Sequence, residues 1–122
     1  MSDKAFEIMK QQNPNALVAH EDGKLCMVED ITDADDRMYR IEIQSTLDGT
    51  HAVAFCRHNP WSDNPFDYHV SHMAQDGFLC ITSASERDIT KSSINLKDAI
   101  LRARYWCTAY SVLRETGQFP MP

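Results

Sequence analysis

MYRIEIQSTLDGTHAVAFC, residues 38–56, is the stretch that decides the fold. Tyr39, Ile41 and Ile43 alternate with Arg40, Glu42 and Gln44, the period of two expected of a strand with one face in a core and the other in water. His51 to Cys56 is a second β-type run, and Asp48-Gly49 between the two suits the positive φ angles of a hairpin turn. Met38–Thr46 and His51–Cys56 therefore predict an antiparallel hairpin. The same punctuation recurs on either side, because the chain has only four glycines and three of them follow aspartate. Upstream, Asp22-Gly23 joins Ala16–His20 to Lys24–Val28; downstream, Asp76-Gly77 joins Phe66–Met73 to Phe78–Thr82. Three hairpins in sequence predict an antiparallel meander.

The flanks read as helices. Ser2–Gln12 contains no breaker, sets Met1, Phe6 and Met9 toward one face, and stops at Asn13-Pro14. Near the other end Asn95 is an N-cap, Asp98 completes a capping box, and Ile94 with Ala99 forms a hydrophobic staple. Leu96, Ile100, Ala103, Trp106, Cys107, Tyr110 and Leu113 predict the buried face of this helix. Lys97, Arg104, Thr108, Ser111 and Glu115 predict the wet one. Gly117 supplies the C-terminal cap, followed by Pro120 and Pro122. His58–Pro65 holds two prolines and reads as a loop, with Trp61 either plugging the sheet edge or meeting a ligand. Ser83–Ser93 is polar and irregular, a plain connection or a lid. The expected fold is α+β: an N-terminal helix, an antiparallel β-meander, an irregular segment, and a long C-terminal helix packed on the sheet.

At 122 residues, 43% hydrophobic and 25% charged, residues 1–122 form one domain able to bury its own core. A net charge of −6 disfavours a phosphate-binding surface, so nucleic acid is not an expected partner. Asp30, Asp33, Asp35 and Asp36 are the densest acidic patch, which reads as a solvated loop, a docking surface for a basic protein, or a weak cation site. With no long apolar run and no leader-like start, no membrane association is expected and a cytoplasmic setting with reduced thiols follows. Cys26, Cys56, Cys80 and Cys107 stand too far apart for a Cys-x-x-Cys metal or redox pair.

Chemistry concentrates in Tyr68–Ile81, Tyr-His-Val-Ser-His-Met-Ala-Gln-Asp-Gly-Phe-Leu-Cys-Ile. His69 and His72 lie three apart and would face opposite sides of a strand, which argues against a two-ligand metal site. Cys80 reads either as a buried, inert thiol of a paired strand or as a nucleophile. The second role needs a nearby imidazolium or aligned N–H groups to lower its pKa, and a donor for an oxyanion. The residues by themselves leave both readings open.

His72-Met-Ala-Gln-Asp-Gly-Phe-Leu-Cys80-Ile resembles the His-(apolar)-x-x-Asp-Gly-x-(Leu/Ile)-Cys-(apolar) signature of bacterial relatives of ubiquitin-conjugating enzymes. It is shorter than the eukaryotic His-Pro-Asn motif, since no Pro-Asn pair follows His72. Leu96–Pro120, with Trp106 and the ending Thr116-Gly117-Gln118-Phe119-Pro120, is also similar to the tail of those bacterial proteins. The resemblance implies a UBC-like fold, a bacterial or phage source, and Cys80 carrying a ubiquitin-like protein as a thioester for transfer to an amine. It further implies that His72 occupies the place of the family histidine, that His69 and Gly77 belong to the active-site loop, and that Gln75, Asp76 and the Gly77 backbone contact the oxyanion or amine. The implied partners are a ubiquitin-like protein and its activating enzyme, with no metal or organic cofactor. The competing expectation is a non-catalytic acidic adaptor or inhibitor that binds another protein through Trp61, Asp33, Asp35 and Asp36.

Overall fold

A computed structural model describes residues 4–81 and 88–120. Among these, the order is α1 (Lys4–Gln12), β1 (Leu17–Glu21), β2 (Lys24–Thr32), β3 (Met38–Ser45), β4 (Ala52–His58), α2 (Tyr68–Ser71), a 3-10 turn (Ile89–Lys91) and α3 (Leu96–Thr116). The strands form one antiparallel sheet in the order β1-β2-β3-β4. The α+β architecture read from the sequence is the one observed, with α3 packed on the sheet.

The first two hairpins fold as their turns dictate. Asp22 and Gly23 both take positive φ, 52° and 78°, so a two-residue turn brings Glu21 opposite Lys24. The second turn is longer: Ser45 pairs with Ala52, and Gly49 closes a β-turn by donating its N–H to the Thr46 carbonyl. The inner face of the sheet carries Leu25, Met27, Tyr39, Ile41, Ile43, Ala54 and Cys56, all buried. Against it α3 lays the seven apolar residues expected, held at its start by Asn95 accepting the Asp98 N–H and at its end by Gly117 at φ 82°.

Packing overrides the sequence reading in four places. Phe6 is 42% exposed, and α1 instead buries Ala5 and Met9; the small Ala5 lets the helix approach until its N–H reaches the Leu47 carbonyl. Met1, also expected on that face, lies outside the described residues. Arg104 is not simply wet: its guanidinium grips Glu29, whose side chain is 2% exposed, and the Gln12 carbonyl. Ser111 is buried because its hydroxyl bridges Tyr39 and Asp33, so one small polar group satisfies two others.

The fourth correction is the third hairpin. Phe66–Met73 is not a strand: Asp67 caps Val70, Tyr68–Ser71 makes one helical turn, and His72 ends it in the left-handed region at φ 57°, donating its N–H to the Tyr68 carbonyl. What remains of the hairpin is short. Met73 bridges Leu79, Ala74 N–H donates to the Phe78 carbonyl, and Gly77 N–H donates to the Ala74 carbonyl. The returning arm adds to the sheet edge instead, with Cys56 N–H on the Gly77 carbonyl at 2.8 Å and Leu79 N–H on the Ala54 carbonyl at 2.9 Å. Phe78 then joins Val53 and Phe55 in a second small core on the outer face of β4.

Candidate functional site

Cys80 leaves the sheet edge at a bend. Leu79 before it is buried, and Ile81 N–H folds back onto the Leu79 carbonyl at 3.1 Å, a three-residue turn centred on the cysteine. Cys80 N–H donates to the His72 carbonyl at 2.9 Å, and Arg102 of α3 holds the next carbonyl, that of Ile81, at 2.9 Å. Cys80 is thus neither in a regular strand nor fully inside: it is half-buried, whereas Cys26, Cys56 and Cys107 are buried. Burial sets those three apart chemically. Desolvation, with the charges of Glu42 and Glu21 adding, pushes Cys26 to about 11; desolvation pushes Cys56 to about 12; and desolvation raises Cys107 as well.

His72 meets Cys80 through its main chain. Its ring lies 4.6 Å from that of Phe119, which the C-terminal tail brings across, and Tyr105 Oη anchors the same tail on the Pro120 carbonyl. Partial burial, and then the positive charge of His69, lower the His72 pKa below the ordinary histidine value. The ring faces Phe119, and the group of His72 that reaches Cys80 is its carbonyl. His69 is exposed, its ring at the edge of Tyr68. Beneath this turn Trp106 donates its indole N–H to the Ser71 carbonyl at 2.9 Å, tying the helical turn to α3.

Gln75, Asp76 and Gly77 sit on the far side of the short hairpin. They line an open hollow of about 870 Å³ together with Arg57, His58 and Asn59, and neither Cys80 nor His72 is among its walls. The Asp76 carboxylate accepts the Phe78 N–H, stabilising the turn. The Gly77 N–H donates to the Ala74 carbonyl within the turn, and its carbonyl accepts the Cys56 N–H. Glycine is required here because φ is +91° and a Cβ would lie 2.3 Å from the Cys56 oxygen.

The acidic residues of the expected docking patch differ in exposure. Asp33 is 3% exposed at its side chain and accepts from Ser111 and Arg37, so it is internal; Asp35 and Asp36 are exposed. Trp61 packs edge-on to Tyr39 and Tyr110, with the guanidinium groups of Arg37 and Arg114 at 4.6 and 5.2 Å from its ring. That is the sheet-plug role, completed by two cations.

Arg102 and Phe119 were not singled out as site residues by sequence reasoning. Arg102 lies on an exposed helix face and Phe119 follows a cap, so neither carries a local signal of its role. Among the described residues no group of three or more His, Cys, Asp or Glu side chains converges to hold a metal ion, and no helix is long and apolar enough to cross a membrane. Part of the Ser83–Ser93 connection and Thr82 lie outside the described residues. Comparison with protein-family models, with curated proteins and with solved structures finds no match to this chain.

Proposed function

We propose that the chain carries a ubiquitin-like protein as a thioester on Cys80 and passes it to an amine. The observation that supports this most directly is the placement of Cys80: it is the one cysteine of four that is not buried, and it stands at a bend outside the regular sheet. In the first step the Cys80 sulfur attacks the thioester carbonyl carbon presented by an activating enzyme. A new S–C bond forms, the activating enzyme's thiolate leaves, and the Cys80 proton passes to it through solvent. In the second step an amine attacks the same carbon, the C–S bond breaks, an amide forms, and the amine proton is returned to the sulfur. Neither step calls for a metal or an organic cofactor. Within this scheme the His72 carbonyl and Arg102 hold the backbone on both sides of the nucleophile.

The adaptor reading has less support, since the Asp33 side chain is internal and Trp61 packs on Tyr39 and Tyr110 with the Arg37 and Arg114 guanidinium groups near its ring. The decisive test is to mix the protein with a ubiquitin-like protein, its activating enzyme and ATP. A thiol-sensitive adduct that disappears in Cys80→Ala is expected. An adduct that persists in that variant overturns the assignment.

A further inference from the structure

The tail that follows α3 does more than end the chain. Gly117 turns the backbone at φ +82°, and a Cβ there would meet nothing within 4 Å, so the reversal is set by the glycine and not by crowding. Tyr105 then fastens the Pro120 carbonyl at 3.1 Å, and between these two fixed points Phe119 is delivered onto the His72 ring at 4.6 Å. His72 itself occupies the left-handed region, a conformation uncommon for a residue with a Cβ and retained where its surroundings enforce it. Three contacts enforce it here: its N–H on the Tyr68 carbonyl, its ring under Phe119, and its carbonyl receiving the Cys80 N–H.

From this chain of contacts we infer that residues 117–120 form a strap, and that Phe119 is a positioning residue which acts on Cys80 through His72. The strap has no part in bonding to a substrate. It holds the imidazole, the imidazole fixes the left-handed turn, and the turn aims the carbonyl that sets the Cys80 backbone. The functional meaning of that alignment rests on the thioester reading above, but the alignment can be measured without it.

The test is site-resolved amide hydrogen exchange on the full chain, with Phe119→Ala, Phe119→Tyr and Tyr105→Phe compared with the parent. The Cys80 amide, bonded to His72, should exchange about three- to tenfold faster in Phe119→Ala, the range for loss of one aromatic contact. The neighbouring Leu79 amide, bonded to Ala54 in the sheet edge, should be unchanged. Phe119→Tyr should restore the parent rate, and Tyr105→Phe should give a smaller acceleration of the same amide. In Phe119→Ala the His72 imidazole, followed by NMR, should titrate closer to the ordinary histidine value. The inference is overturned if the Cys80 amide does not accelerate, or if the Cys80 and Leu79 amides accelerate together, which is a general loosening. Because exchange needs no partner protein, a chain that fails to form a thioester but shows this pattern would refute the proposed function and leave the strap standing.

Discussion

Replacing Gly77 by alanine would set a methyl carbon 2.3 Å from the Cys56 carbonyl oxygen, a contact that forces the two main chains apart. Two backbone hydrogen bonds join them there, Cys56 N–H to Gly77 O and Leu79 N–H to Ala54 O. Losing both costs about 2 kcal/mol at ~1 kcal/mol each. Holding an L-residue at φ +91° adds roughly 1–2 kcal/mol. The total, about 3–4 kcal/mol, lies below the ~5–15 kcal/mol typical of a whole domain, so the variant should still fold. Gly23 supplies the control: its φ is +78°, yet a Cβ there meets nothing within 4 Å, so Gly23→Ala suffers only the backbone term. Urea unfolding followed by tryptophan fluorescence separates the two. With a slope of ~2 kcal/mol per molar, Gly77→Ala should unfold about 1 M earlier than Gly23→Ala. Equal midpoints would refute the argument that the Gly77–Leu79 arm is clamped against β4.

Two further outcomes follow from polar groups inside the core. Arg104→Leu leaves the Glu29 carboxylate, 2% exposed at its side chain, without its cation, and should lower stability by about 3 kcal/mol in urea unfolding; adding Glu29→Leu should recover most of the loss. For Asp33, burial opposes ionisation but hydrogen bonds from Ser111 and from the backbone and guanidinium of Arg37 outweigh it and hold the pKa at about 2. Because this value is depressed in the folded state, the stability it contributes is present above the ordinary aspartate range near ~4 and is lost as pH falls from there toward 2. Thermal midpoints measured across that window should fall steeply in the parent and more gently in Asp33→Asn.

The parts legible in the sequence are those whose signals are local. Asp22-Gly23 and the Asn95 to Gly117 helix carry their turn and cap residues within a few positions of the geometry they produce, and both fold as read. Tyr68–Ser71 failed for the converse reason. Four residues are too few to separate a period of two from one of 3.6. What decides for the helical turn is the Asp67 cap together with the Trp106 indole, 35 positions away. Arg104 and Ser111 were misplaced on the wet face because their partners, Glu29 and Asp33, lie 75 and 78 positions distant. A polar residue among apolar ones announces no partner in the sequence. Of the candidate site, Cys80 and His72 were singled out from the sequence, whereas the contacts of Arg102 and Phe119 with that segment arise through tertiary packing and carry no local signal.

The loss of the third strand is also what gives Cys80 its setting. Had Phe66–Met73 paired with Phe78–Thr82 throughout, Cys80 would have carried on the ladder, with its side chain fixed by alternation. Instead the opposing arm curls into α2, and its last carbonyl, on His72, reaches across to a single amide, that of Cys80. Pairing therefore stops at Leu79, and the chain bends with the thiol at the bend. The cost is a left-handed His72, on the order of 1 kcal/mol or more. The local sequence does not relieve that strain, because glycine is absent at position 72. It is held from outside by the Phe119 ring and the Tyr68 carbonyl, so the conformation of the cysteine segment depends on the far end of the chain.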